Sequence, residues 1–436
     1  MRRGACPTIA APMPTGDGLL VRLTPVATIA LGDFAALCRA ARRCGNGIIE
    51  ITARGNIQVR GLRAETTDAF ARSIAVEAID LGRVAVLTDQ LAGLNGAADV
   101  VTLAATLRAA LASHLPAARL SAKASVTIDG GTALHLDAVP ADIRLQAYAG
   151  GAYHVAVGGA AADAIALGTV SEADAIAVVL RLVNVIAARG PEARAKNIVQ
   201  SDGAAIFADV VPELVSPAQQ VALRAKAQSI GQHALRDGSV AVGLGFAFGH
   251  ATANALEQLV GAALQAGAEG LRTAPQRCLL VVGVPPARVA AVVAAARRLG
   301  FVTNEDDPRL HVAACAGAPL CASGEIATRT LAPDVATAAA RLLDGTVAIH
   351  LSGCTKGCAH RAAAALTIVG DRNTCRIILD GAATDTAVAE VPANDLPKRL
   401  AGLAREIEGV QAPGQAASAA LARLGRARIA QILEAR

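Results

Sequence analysis

The sequence predicts an α+β chain built as a tandem duplication, with small α/β half-domains alternating with larger α/β domains in the order A-B-A′-B′. Three observations carry this. The chain has 436 residues, too many for one compact core. Its 53% hydrophobic content is rich in alanine, which favours helices packed closely on sheets. Two stretches 222 residues apart repeat the same order of strand, helix, Gly-rich turn and strand, with Gly61 falling on Gly283.

The elements follow in order. Unit A, residues 1–82, opens with a strand at 18–23, a helix at 34–41, and a Gly-rich turn leading into a strand that ends at Gly61. A second helical region is expected at 66–81. Domain B, residues 83–200, reads helix, Pro116, Leu120-Ser121-Ala122-Lys123, then a strand at 124–128 closed by Gly130-Gly131. Residues 201–238 alternate Pro with helix-like stretches and read as the connection between the halves. Unit A′, residues 239–302, repeats unit A with a strand at 240–244 and helices at 254–265 and 286–299. Domain B′, residues 303–436, repeats B through Leu351-Ser352-Gly353-Cys354 and a segment ending at Gly370. Its tail from 396 onward reads as amphipathic helices broken at Pro413-Gly414.

Composition excludes several classes. With no Trp, 2 Tyr and 6 Phe, the chain lacks the flat side chains on which single-stranded nucleic acid stacks. The balance of 41 Lys+Arg against 36 Asp+Glu gives no global basic field, although arginines can still gather in one cleft for an anion. Mean hydropathy is +0.43, yet every apolar run is interrupted, as by Arg181 and Asn184, before a membrane span could form. Pro7, Pro12, Pro14 and Asp17 follow Met1-Arg2-Arg3 where a secretory signal would be apolar, so a cytoplasmic location is expected. In that compartment nine cysteines are not expected to form disulfides.

Four cysteines stand apart by spacing: Cys315 and Cys321 as Cys-x5-Cys, and Cys354 and Cys358 as Cys-x3-Cys. Gly and Pro between them let the backbone wrap a bulky group, and loop amides can donate to sulfur. A helix-prone run at 361–366 would place Cys358 near a helix N-terminus, where a thiolate is stabilised. A structural zinc would also take four thiolates, although its knuckles favour Cys-x2-4-Cys, and a zinc-stapled binding protein is the non-enzymatic alternative. Cys6, Cys38, Cys44, Cys278 and Cys375 lie in apolar surroundings and read as packed thiols. His350 and His360 flank the second cysteine pair, as cluster neighbours or as structural residues.

With these features in place, the sequence resembles the nitrite and sulfite reductase family. The match runs through Arg3-Gly4-Ala5-Cys6-Pro7 with Gly16-Asp17-Gly18-Leu19-Leu20-Val21-Arg22, then 313–324, then Ser352-Gly353-Cys354-Thr355-Lys356-Gly357-Cys358-Ala359-His360, and spans about residues 3–375. The resemblance implies ferredoxin-like half-domains A and A′, reductase-type domains B and B′, and a [4Fe-4S] cluster on Cys315, Cys321, Cys354 and Cys358. The N-terminal motif points within the family to the branch that converts precorrin-3A to precorrin-3B in aerobic cobalamin synthesis, hydroxylating C20 and closing a lactone. That activity implies a tetrapyrrole substrate, dioxygen, an electron donor (NADH or a reductase) and room for a second iron centre, whose ligands the sequence does not name. No catalytic residue is named either.

A macrocycle with about eight carboxylates calls for convergent cations, since Arg pairs bidentately with carboxylate. The candidates are Arg22, Arg54, Arg60, Lys123, Arg272, Arg277 and Lys356, each with the alternative of an ordinary solvated or salt-bridged strand-end residue, an alternative that weighs less for Arg22, Arg54 and Lys123. Arg22, Arg54 and Lys123 sit in motifs that grip sirohaem in the reductases. The partner position of the Lys-x-Lys pair, however, holds Ser125, and the stretch 91–98 lacks the family's arginine. These departures favour a tetrapyrrole held as substrate over sirohaem held as cofactor. The alternative is a sirohaem-dependent nitrite or sulfite reductase.

Overall fold

The computed structural model describes residues 7–74, 79–80, 84–96, 98–114, 120–215 and 222–435. Cys6 and the rest of the opening motif through Ala5, the boundary read at residue 82, and Pro116 lie outside the described residues.

The first unit contains β1 (Met13–Thr15), β2 (Gly18–Pro25), β3 (Ile29–Ala30), α1 (Leu31–Cys44), β4 (Ile48–Ile51), β5 (Ile57–Leu62), α2 (Ala64–Ser73) and β6 (Ile79–Asp80). Next come β7 (Ala85–Thr88), α3 (Val100–His114), β8 (Ser125–Asp129), β9 (Ala141–Tyr148), β10 (Ala152–Gly159), β11 (Ile165–Ser171), α4 (Glu172–Ala188), α5 (Ala195–Asp202) and α6 (Ala205–Ala208). The second half contains β12 (Gly231–Ala234), β13 (Val240–Gly245), β14 (His250–Thr252), α7 (Ala253–Gln265), β15 (Gly270–Ala274), β16 (Cys278–Val284) and α8 (Val289–Arg298). It ends with β17 (Val312–Ala314), α9 (Thr328–Ala338), β18 (Ile349–Ser352), β19 (Ala364–Asp371), β20 (Thr374–Gly381), β21 (Ala389–Pro392), α10 (Leu396–Val410), α11 (Ala417–Leu424) and α12 (Arg426–Glu434).

The repeat survives as register. Ile49 pairs with Val59 in the first half and Leu271 with Val281 in the second, which is the 222-residue offset preserved strand by strand. The two A units also exchange strands. β14 from the second half pairs antiparallel with β4, and β3 from the first pairs antiparallel with β15. Their helices close over one shared core. α1 buries Phe34, Leu37, Cys38, Ala41 and Cys44 at helical spacing, and α7 buries Leu256, Leu259, Val260 and Ala263. The Thr252 hydroxyl accepts from the Ala255 N–H at 3.1 Å and starts α7 at the point where β14 ends.

The B sheets, ordered β11-β10-β9-β8-β7 and β17-β18-β19-β20-β21, share one plan. The first three strands of each in sequence run parallel and the last two are added antiparallel. Parallel strands expose loops at their carboxyl ends, where α/β sheets place ligands. Cys315 directly follows β17 and Cys354 lies two residues past β18, so the topology brings both cysteine motifs to one sheet end.

Three local expectations change. The helix expected at 66–81 ends at Ser73 with Ile74 extended, and Ile79–Asp80 pairs with Thr24 and Pro25 instead. The run at 361–366 is not a helix. From Ala364 it forms β19, paired on both sides with β18 and β20, because burial of Leu366, Ile368 and Val369 in a central strand outweighs alanine's helix propensity. Cys358 therefore has no helix N-terminus after it. Within 201–238, Gly231–Ala234 forms β12 and pairs with β13. Among the described residues, no helix is long and apolar enough to cross a membrane.

Candidate functional site

The cysteine loops are held from three sides. The Cys315 N–H donates to the Leu351 carbonyl at 3.2 Å, fixing the first loop to β18. The Thr328 Oγ1 donates to the Cys315 carbonyl at 2.8 Å, and the Gly353 N–H donates to the Cys315 Sγ at 3.1 Å. In the same loop the Cys321 N–H donates to the Gly317 carbonyl at 2.8 Å, with Gly317 at φ +59°. A side chain at Gly317 would strike the Thr328 Oγ1 at 2.2 Å, so glycine is required there on both counts. The third side is the β1–β2 turn of the first A unit. The Ala322 N–H donates to the Gly16 carbonyl at 2.8 Å, and a Cβ at Gly16 would lie 2.3 Å from the Cys321 Sγ. Lys356 Nζ reaches Ser323 Oγ at 2.8 Å and ties the two cysteine loops together.

Cys315, Cys321 and Cys354 are half-buried and Cys358 is exposed. The Cys358 thiol is pushed up by burial and by the Cys315 and Cys354 thiolates facing it, against the pull of Arg60 and Arg361. Mutually repelling thiolates of this kind are relieved by a cationic metal core. A single tetrahedral zinc requires its sulfurs crowded together. Among the described residues, the three ligand atoms that lie within 4.8 Å of one another are those of Asp129, His135 and Asp137, and not those of the cysteines. The wider quartet, with an amide aimed at a sulfur, suits an iron-sulfur cube in which each thiolate serves a different iron. The other described cysteines, Cys38, Cys44, Cys278 and Cys375, are buried, and burial first of all pushes Cys38, Cys278 and Cys375 up to about 12. All four are packing thiols, and Cys38, Cys278 and Cys375 stay neutral at physiological pH.

A polar row crosses the A sheet beneath the quartet. Register aligns Arg22 with Gln58, Gln58 with Glu50, and Glu50 with His250. With its amide oriented toward its neighbours, Gln58 accepts from Arg22 at 3.1 and 2.6 Å and donates to Glu50 at 3.1 Å. Arg60 is buried at 8% exposure, donates to both Asp17 oxygens at 2.9 and 2.7 Å, and reaches Glu50 at 3.4 Å. Its guanidinium is thus held by protein carboxylates. Arg277 Nη2 donates to the Ala359 carbonyl in the second cysteine loop at 3.4 Å. His350 is 1% exposed, neither of its nitrogens has a partner, and its ring centroid lies 5.9 Å from that of His360. Burial depresses it to about 4, as it does His250, so both are neutral at physiological pH.

The pseudo-equivalent position across the duplication is rewritten. Thr28 and Arg272 lie where His250 and Glu50 lie 222 residues away, and Arg272 Nε donates to Thr28 Oγ1 at 2.7 Å. Arg272 Nη1 also donates to the carbonyls of Gln90 and Ala92 at 3.1 and 2.7 Å, which pins B to A′. Asp89 takes the place of Cys315 after the first parallel strand. Its Oδ2 accepts from the Gly130 N–H at 2.7 Å, just as the Cys315 Sγ accepts from Gly353. A cavity beside it is lined by Arg54, Asn56, Asp89, Arg108 and Arg272. The Asp129–His135–Asp137 group of domain B is closed by Arg224, which donates to Asp129 Oδ2 at 2.6 Å and to Asp137 Oδ2 at 3.1 Å.

The structure thus places Arg60, Arg277 and Lys356 around the cysteine quartet and Arg22 on the adjoining row, while Arg54 and Arg272 line the cavity. Lys123 stands exposed just before β8. Glu50, His250, Asp89 and Arg329 escaped the sequence reading. For Glu50 and His250 the 222-residue offset held a signal, since their counterparts Arg272 and Thr28 differ in charge or titratable character.

Comparison with known proteins agrees with this geometry. The nitrite/sulfite reductase ferredoxin-like half domain matches residues 11–76. A precorrin-3B synthase from Sinorhizobium sp is 36% identical over 441 residues, spanning 100% of this chain and 95% of that protein. A ferredoxin sulfite reductase of Mycolicibacterium paratuberculosis is 28% identical over 137 residues, only 30% of this chain and 25% of its own length. The solved structure of Mycobacterium tuberculosis NirA superposes with a TM-score of 0.71 at 17% identity, covering 94% of this chain and 84% of that one, which shows a shared fold. Full-length similarity to the first and only partial similarity to the reductase sequences place the chain in the precorrin-3B synthase family, on the nitrite/sulfite reductase fold.

Proposed function

We propose that the protein is an oxygen-dependent oxidoreductase that converts precorrin-3A to precorrin-3B. The observation that carries this reading is the 36% identity to a precorrin-3B synthase along the whole chain. In the reaction one atom of dioxygen enters the macrocycle at C20 and the other leaves as water. Two electrons come from an external donor, NADH or a reductase, and a ring acetate closes a lactone. Cys315, Cys321, Cys354 and Cys358 would hold a [4Fe-4S] cluster, which when bound supplies one-electron transfer.

The chain's own residues supply placement. Asp17, Arg60 and Glu50 hold the β1–β2 turn on the A sheet, the turn's Gly16 carbonyl accepts from the Ala322 N–H of the first cysteine loop, and Lys356 joins the two cysteine loops. Arg54, aided by Arg22 and Arg277, is assigned to the substrate carboxylates, while Lys123, exposed just before β8, is left at most a solvent-screened contact with them. Arg60 and Arg272 donate to protein acceptors and hold the walls of the site.

The test incubates purified protein with precorrin-3A, reductant and dioxygen, and separately with sulfite and nitrite. The hydroxylated lactone should form, and neither inorganic anion should be reduced. Reduction of sulfite or nitrite without tetrapyrrole turnover would establish the reductase reading instead.

A further inference from the structure

Arg329 occupies the first turn of α9 beside Thr328, whose Oγ1 lies 3.8 Å from the Cys315 Sγ. Its side chain is 13% exposed, and Nε, Nη1 and Nη2 are all sealed from solvent with no hydrogen-bond partner. Its ion-pair partner among the described residues is Glu50 at 3.8 Å, a carboxylate that also lies 3.4 Å from Arg60. A guanidinium has five donors, and leaving all of them unused in a protein interior is costly. Such a charge persists where its field stabilises something else.

Two features identify what that is. The cations Arg60, Arg277 and Arg329 gather near Asp17 and Glu50, which leaves one positive charge over, and the anions that face Arg329 are Glu50, Asp17 and the Cys315 thiolate. The sealed nitrogens also rule out a direct grip on a substrate carboxylate, so the charge acts through space. We infer that Arg329 is a positioning residue of the redox centre, whose buried charge, left without hydrogen bonds and in excess of the nearby carboxylates, raises the electron affinity of the anionic cluster held by the cysteine quartet. This rests on the iron-sulfur reading of that quartet. Reduction adds negative charge to an already anionic group, and a buried cation in a low-dielectric interior favours the reduced form.

The experiment is a redox titration of anaerobically purified full-length protein, followed by visible absorbance and electron paramagnetic resonance, comparing wild type, Arg329→Gln and Arg329→Lys. Iron content and thermal midpoint are measured alongside. Arg329→Gln should keep its iron and lose about tenfold in electron affinity, a fall of about 59 mV for a one-electron couple. Arg329→Lys, which keeps the charge, should recover most of the shift. If Arg329→Gln fails to hold iron, an Arg329→Lys protein with full iron and a near wild-type potential supports the inference. An unchanged potential in Arg329→Gln, an equal fall in both variants, or loss of iron in both would overturn it. Wild-type protein without iron and sulfide would instead overturn the reading of the quartet itself.

Discussion

Replacing Arg60 by Met tests whether this residue holds the site together or grips substrate. Its partner Asp17 has a fully buried side chain, and the Arg60 side chain is only 10% exposed. Removing one member of a buried pair leaves the other charge uncompensated, at a cost of about 3 to 5 kcal/mol. Asp17 keeps two other donors, Thr15 Oγ1 at 2.8 Å and Asn46 Nδ2 at 3.1 Å, which puts the expected loss near the lower end, about 3 kcal/mol. The pH dependence gives a second check. Burial pushes the Asp17 carboxyl up, but hydrogen bonding and charge from Arg60 outweigh it and hold the group below its ordinary value of 3.8. Its stabilisation is therefore complete at neutral pH and is lost as pH falls through the folded pKa. In Arg60→Met only burial and the weaker donors remain, so the folded pKa rises and acidification from neutrality favours the folded variant. The gap between wild type and variant in urea denaturation should then narrow as pH is lowered. Adding Asp17→Asn should recover part of the loss by removing the stranded charge. A stability loss under about 1 kcal/mol, coupled with weakened tetrapyrrole binding, would refute the structural role and restore Arg60 as a substrate ligand.

Three further outcomes follow from the same geometry. Gly16→Ala places a methyl 2.3 Å from the Cys321 Sγ and should lower iron content while leaving the circular dichroism spectrum intact. Serine at any one of Cys315, Cys321, Cys354 or Cys358 should abolish colour and activity, because an alkoxide is a poor substitute for thiolate toward iron. Cys278→Ala, in contrast, should keep full iron and cost about 1 kcal/mol of packing, as read from thermal midpoints. Arg54→Ala should weaken precorrin-3A binding by roughly 1.5 to 3 kcal/mol in a fluorescence titration, whereas Lys123→Ala, exposed and apart from the cavity, should cost less than about 1 kcal/mol.

What could be read from the sequence follows from how local each signal is. The duplication was legible because glycines such as Gly61 and Gly283 punctuate it and the apolar alternation between them survives in register. The cysteine quartet was legible because spacing alone singles it out. The strand exchange through β3 and β14 was not, since strands of two and three residues carry no periodic pattern and exist only through their partners. The helix expected after Cys358 failed for a related reason: the alanines of 361–366 speak for a helix, but the central position of β19 decides. The polar row is long-range as well. Nothing near Glu50 in sequence announces His250 or Arg329, which arrive from β14 and α9 in the other half of the duplication. Composition could nominate Arg60 and Arg272 as cations for an anionic ligand, but only the fold shows that Asp17, Thr28 and two backbone carbonyls already take their donors.

If the chain oxygenates precorrin-3A, the fate of the oxygen atom shows it. Anaerobically purified protein, reductant and precorrin-3A are mixed with isotopically heavy dioxygen, and the product is analysed by mass spectrometry. The expected product is a hydroxylated lactone carrying one heavy oxygen atom, with none formed when dioxygen is withheld. Product that forms without dioxygen, or whose added oxygen comes from water, would contradict the oxygenation.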